Sequence, residues 1–142
     1  MIDQKLAPYA ATLLRVSLGS MWLSHGLLKV IVFTIPGFAS FLAAQGMPTF
    51  LAWPVVLAEL IGGAMILSGY HGRIVSLVLL PVMAGATLVH IGNGWVFSNA
   101  NGGWEYPVFL MAMSVVHALL GDGAYAVKSA STPAVPSRIR LA

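Results

Sequence analysis

The chain has 142 residues, of which 58% are hydrophobic and only 8% charged, with a net charge of +3. Soluble domains carry about 25% charged residues, so these few cannot cover a water-facing surface, and the sequence reads as one small domain whose surface faces lipid. The basic residues are dispersed, which excludes a nucleic-acid patch and suits a membrane-topology signal. There is no cysteine, which excludes dithiol chemistry, thiolate metal sites and disulfides within the chain.

Met1 to Lys5 is a short polar lead. Lys5 stands before an apolar run, as in a signal peptide, but Arg15 interrupts that run and no clear small-x-small cleavage site follows. The reading is a retained first span over about 8–32. Pro8 falls in its first turn, where a missing N–H costs little. Arg15, Trp22, His25 and Lys29 are spaced seven, three and four apart, so they project from one helix face. The opposite face, Leu14, Leu18, Met21 and Leu28, is expected to meet lipid.

Pro36-Gly37 and Gln45-Gly46-Met47-Pro48 bracket a break. Phe38, Phe41 and Leu42 between them predict a short amphipathic helix in the membrane interface. The second span, about 51–69, opens on Trp53-Pro54 and is apolar except for Glu59. An ionisable group inside a bilayer costs roughly 2.5–3.5 kcal/mol on insertion scales, so it must face protein, find a partner or take up a proton. Ala58, Gly62 and Gly63 are small enough to let another helix approach closely. The third span, about 74–92, contains Pro81, where a kink is expected, and His90 near its far end. Asn93 to Trp104 is an uncharged Asn/Gly/Trp loop, with Trp95 and Trp104 suited to the headgroup level. Glu105 precedes a fourth span, from about Tyr106 to Leu120, or to Val127 (106–127) if it passes through Gly121-Asp122-Gly123, with His117 inside it. Residues 129–142 read as a disordered cytoplasmic tail.

The expected architecture is therefore all-α: a bundle of four transmembrane helices with a short interfacial helix between spans one and two. Lys5, Arg15, Arg73, Lys128, Arg138 and Arg140 fall on one side of such a bundle. The positive-inside rule places both termini in the cytoplasm of an inner-membrane protein. Lys29 is the exception, at the outer end of the first span, so it has a reason other than topology to be there.

Helical rise gives each polar group a depth. His25 and His90 come out level, about 24 Å above the inner boundary. Glu59 and His117 come out near the midplane, with Arg15 below them and within reach of Glu59 as a structural ion pair. Lys29, Glu105 and Trp104 lie at the outer rim. The candidate catalytic groups are Glu59, His25, His90 and His117. Trp22, His25, Lys29, Glu59, His90, Trp104 and Glu105 are the candidate ligand contacts. A plain structural reading stands beside these roles: a buried pair that fixes helix register, and histidines bonded to carbonyls. With no close HxxxH or ExxH spacing, no metal site is read.

Taken as an ordered set, His25-Gly26-x-x-Lys29, Gly37-Phe38, Gly46-x-Pro48, Glu59-x-x-Gly62-Gly63-x-x-x-Leu67-x-Gly69, Arg73, His90, Gly102-Gly103-Trp104-Glu105-Tyr106-Pro107 and Gly121-x-Gly123 resemble the DoxX family of small membrane proteins, from about Leu13 to Ala126. Members typically end Gly-x-Gly-x-x-Ser-x-Asp, whereas this chain has Tyr125-Ala126-Val127-Lys128. The resemblance implies a four-helix inner-membrane protein of the kind linked to thiosulfate:quinone oxidoreduction or thiol-oxidative stress.

Three functions are then expected in order. The first is a quinone-binding membrane subunit of an oxidoreductase system, whose electrons a soluble redox partner supplies, since the chain carries no flavin, haem or iron–sulfur motif. The second is a proton-coupled small-solute transporter or channel, which at this length calls for a homo-oligomer. The third is a membrane scaffold for a soluble enzyme. The bilayer is a partner in all three, and nucleic acid in none.

Overall fold

A computed structural model describes residues 3–128, and the tail expected at 129–142 lies outside the described residues. The described chain is all-helical: α1 (Ala7–Ile31), α2 (Ile35–Ala44), α3 (Ala52–Ser68), α4 (Gly72–Val78), α5 (Leu80–His90) and α6 (Glu105–Leu120). A 3₁₀ turn, Thr49–Leu51, leads into α3, and another, Ile91–Asn93, follows α5.

Local chemistry sets the breaks. Thr34 takes a positive φ of 61° and its hydroxyl accepts from Gly37 N–H, with Pro36 in the first turn of α2. The chain therefore turns sharply, and α2 leaves α1 at 97°. Helix α3 stops at Gly69, in the left-handed region at φ 73°, where Tyr70 N–H reaches back to Met65 C=O. This is the Schellman closure that favours glycine. The kink expected around Pro81 falls at Leu79, where α4 gives way to α5, because proline cannot continue the i→i−4 ladder.

α1 and α3 are antiparallel and in close contact, because the residues between them are small. An added Cβ at Gly19 would sit 2.6 Å from Leu67 N, one at Gly63 2.8 Å from Leu23 N, and one at Gly26 would meet Leu60 and Glu59. Gly62 makes room in the same way for Leu79. Small residues let backbones approach where lipid supplies no hydrophobic drive between helices. The core at mid-height is Leu18, Trp22, Ile66, Leu79, Met83 and Leu110. A second cluster, Phe38, Leu42, Ala52 and Val56, seats α2 on the start of α3.

The outward faces are apolar: Leu13, Ile61, Val78, Leu88, Phe109 and Leu119 are each more than half exposed, which water would not tolerate over so much surface. By length and composition, Thr49–Ser68 and Gly72–Asn93 are each fit to cross a membrane. The bent pair α1 and α2 passes jointly, and Glu105–Leu120 is a shorter apolar helix. The expected lipid face of α1 is corrected in part: Leu18 is in the core, with Leu14 and Met21 packed against it, while Leu28 is exposed as expected, together with Leu13, Val16, Leu27 and Ile31. Of the two ends expected for the fourth span, α6 takes the shorter and does not run on to Val127. It ends at Leu120, since Gly121 and Gly123 take φ of 93° and 71°.

From Gly121 the chain folds across the end of the bundle that holds Pro8, here called the base. Ala124 N–H donates to Pro8 C=O, Val127 N–H to Ser68 C=O, and Lys128 N–H to Gly69 C=O, while His71 N–H donates to Lys128 C=O. Residues 121–128 form a strap that ties α1, α3 and α6 together.

Candidate functional site

The α1–α3 register decides which polar groups meet. Glu59 lies against Gly26, which is next to His25 in sequence and about one turn from Lys29. Lys29 Nζ donates to both Glu59 oxygens at 2.8 Å. The side chain of Glu59 is 2% exposed and that of Lys29 16%. Lys29 also lies 5.3 Å from the centroid of the Phe38 ring, so α2 covers the pair and contributes a cation–π contact. His25 Nδ1 bonds Met21 C=O at 2.9 Å. When Nδ1 carries the proton for that bond, Nε2 is left as an acceptor. The His25 ring stacks on Tyr106 at 5.2 Å and 16°, and both rings lie within electrostatic reach of Glu59. Two buried donors in this region, Trp22 Nε1 and Tyr106 Oη, have no hydrogen-bond partner among the described residues. Left so in an apolar interior, each costs about 1–3 kcal/mol.

The expected ion pair between Arg15 and Glu59 is corrected. Arg15 is eleven residues from Gly26, about 16 Å down α1, and faces Gly69 rather than Glu59. Its Nη2 donates to Ala124 C=O at 3.2 Å. Glu59 is matched by Lys29, the one basic residue that topology left unaccounted for.

The common level expected for Glu59 and His117 is corrected too. Leu79 packs on Gly62, a turn below Glu59, and His117 bonds Ser76, a further turn below that. The two acid–base groups stand about 9 Å apart in height, with core hydrocarbon between. His117 Nδ1 shares a 2.8 Å hydrogen bond with Ser76 Oγ, and Nε2 lies 3.4 Å from Asp122 Oδ1.

The remaining candidates stand apart from the Glu59 cluster. His90 Nδ1 bonds Ala86 C=O at 2.8 Å, and its ring lies against Gly102. Trp104 packs edge-on against Trp95 at 4.4 Å. Glu105 accepts from Phe97 N–H at 3.2 Å. These three organise the 93–104 loop. No group of three or more His, Asp or Glu among the described residues is placed to hold a metal. Two shallow apolar grooves open on the outside of the bundle: about 690 Å³ between α5 and α6, lined by Pro81, Val108 and Met111 among others, and about 470 Å³ along α3 from Leu60 to Tyr70. Neither is lined by Lys29, Glu59 or His25.

Tyr106, Ser76 and Asp122 are functional candidates that sequence reasoning missed. Ser76 was detectable as a lone hydroxyl in an apolar span, and Asp122 as an acid between two glycines.

An all-helical domain with an apolar exterior and a charge pair withdrawn between two closely packed helices is a small integral membrane protein. Residues 10–91 match the DoxX family. Over 110 residues, 78% of each chain, the sequence is 31% identical to a Bacillus subtilis (strain 168) protein named "Putative oxidoreductase CatD". No solved structure matches. The chain belongs to the DoxX family.

Proposed function

We propose that this protein is the membrane component of a redox system, and that it receives the polar ring of a quinone-like ligand at Trp22, His25, Lys29, Glu59 and Tyr106. One observation carries the reading: a desolvated Lys29–Glu59 pair stands beside a His25–Tyr106 stack. Reducing a quinone to a quinol takes two electrons and two protons. The name of the Bacillus relative supports redox chemistry, and the cluster supplies groups that exchange protons. Tyr106 Oη and Trp22 Nε1 are donors suited to quinone carbonyls, His25 Nε2 is an acceptor suited to quinol hydroxyls, and the Lys29–Glu59 pair can pass a proton between partners. Electrons come from a soluble redox partner. The dispersed basic residues support an inner-membrane setting with four crossings, Pro8 and Lys128 on the cytoplasmic side, and the cluster toward the outer leaflet.

The test is a titration of the purified protein in lipid nanodiscs with ubiquinone and menaquinone analogues, read by tryptophan fluorescence. Saturable quenching is expected, weakened about tenfold or more in Glu59→Gln and His25→Ala, which is the loss of one charged or polar contact. No saturable binding, or equal binding in both variants, refutes the site. A proteoliposome solute flux that depends on Glu59, without quinone binding, turns the reading to transport.

A further inference from the structure

The Lys29–Glu59 cluster is closed in this structure. Glu59 and Trp22 are each 1% exposed, and neither outer groove reaches them. A ligand that meets Glu59 must therefore displace one of the walls, and the walls are not held alike.

α1 and α3 touch backbone to backbone, since an added Cβ at Gly19 or Gly63 would strike Leu67 or Leu23. That seam does not part. α6 is pinned beside the cluster by the His25–Tyr106 stack. At its start, Glu105 N–H donates to Trp95 C=O and the Glu105 carboxylate accepts from Phe97 N–H. α2 is different. Among the described residues, the hydrogen bonds of residues 35–47 all run within 34–47. Its seat on the bundle is apolar: Phe38 and Leu42, one turn apart, against Ala52 and Val56. The Lys29 ammonium adds a cation–π contact, 5.3 Å from the Phe38 ring centroid. α2 can therefore swing away without breaking a hydrogen bond.

Both ends of α2 are built to turn. Thr34 has φ 61° and ψ 157°, a combination almost confined to glycine and costly for a β-branched residue. The contacts of Phe38 and Leu42 hold that strain in the closed state, and opening relieves it. At the other end Gly46 takes φ 73°, with nothing within 4 Å of an added Cβ. Phe41, 43% exposed, stacks on the buried Phe38 at 6.3 Å and 18°. A flat ring arriving from the membrane meets Phe41 first, then Phe38, then Lys29.

We propose that α2 is a lateral gate over the Lys29–Glu59 cluster, hinged at Thr34 and Gly46, and that Phe38 holds it shut. The ligand class follows from the route: a flat ring on an apolar tail, dissolved in the bilayer, that enters between α2 and α3 and takes the place of Phe38 against Lys29. Opening is a property of the chain alone, whereas passage of the ligand rests on the reading of the cluster given above.

The experiment uses the absence of cysteine, which lets one introduced thiol report on one place. Val56→Cys sets it under α2, one turn before Glu59, and Ile66→Cys sets it in the core away from α2. Each full-length protein is labelled with N-ethylmaleimide in nanodiscs. Val56→Cys is expected to react faster than Ile66→Cys. Phe38→Ala is expected to speed labelling of Val56→Cys about tenfold, through loss of the ring over Lys29. Phe38→Tyr, which keeps the ring, is expected to leave it unchanged, and Ile66→Cys is expected to respond to neither. Association of a ubiquinone analogue, followed by stopped-flow tryptophan quenching, is expected to quicken in parallel in Phe38→Ala. The comparison of Val56→Cys with Ile66→Cys does not depend on any Phe38 variant folding. Labelling of Val56→Cys no faster than of Ile66→Cys overturns the gate, as does an equal rise at both positions in Phe38→Ala. Faster labelling with unchanged quinone association overturns the route. Absence of quinone binding in every protein refutes the cluster as a quinone site, and the labelling then supports or overturns the gate by itself.

Discussion

Replacing Lys29 with methionine tests how the interior charge is held. The substitution keeps the length of the stem but strands the Glu59 carboxylate, which is 2% exposed. Removing one partner of a buried ion pair costs about 3–5 kcal/mol, because the other charge stays desolvated. Replacing both partners with apolar groups is often neutral or stabilising. Lys29→Met is therefore expected to lower stability by about 3–5 kcal/mol, and Lys29→Met with Glu59→Leu to return to within about 1 kcal/mol of wild type. The coupling energy of the cycle is then about 2 kcal/mol or more. Reversible unfolding in mixed micelles with increasing SDS, followed by far-UV circular dichroism, measures all four proteins. The control is Arg15→Met with Glu59→Leu, whose effects should add within about 0.5 kcal/mol because the groups share no contact. Loss of less than about 1 kcal/mol in Lys29→Met, or coupling of Glu59 to Arg15 instead of Lys29, refutes the assignment.

Other expectations are read by the same assay or by ligand titration. Gly19→Ala forces a Cβ against Leu67 backbone atoms at 2.6 Å and should cost about 1–3 kcal/mol by separating α1 from α3, whereas Gly85→Ala meets nothing within 4 Å and should leave stability unchanged or slightly raised. Tyr106→Phe removes a buried hydroxyl with no partner among the described residues. Without ligand it should be neutral or stabilising by up to about 1 kcal/mol, yet it should weaken quinone-analogue binding. His90→Ala should leave that binding unchanged, since His90 is engaged with Ala86 and the 93–104 loop.

The helices were legible where one residue type forced the outcome. The spacing of Arg15, Trp22, His25 and Lys29 marked the interior face of α1. Pro36-Gly37 and Gly69 marked turns, and Pro81 a break. Depth was not legible. Counting rise from each predicted boundary treats all helices as starting level, but α1 extends more than two turns past the end of α3 at the base. That offset moved Glu59 up to Lys29 and left Arg15 and His117 below. The signal that fixes register was present in Gly19, Gly26 and Gly63, which line the α1–α3 seam where the two backbones approach. Lys29, the basic residue that topology did not explain, already pointed to the carboxylate. The strap was invisible because glycines with positive φ turn the chain by backbone geometry, which carries no hydrophobic period.

A quinone-like ligand is expected to meet this protein at the Lys29–Glu59 cluster, not on the greasy exterior. Photo-crosslinking of a photoreactive quinone analogue in nanodiscs, mapped by peptide mass spectrometry, tests it directly. Labels around His25, Lys29, Phe38 and Tyr106 that vanish with excess unlabelled quinone are expected. Competed labels confined to Pro81, Val108 and Met111 in the α5–α6 groove, or labelling that excess quinone does not reduce, contradict it.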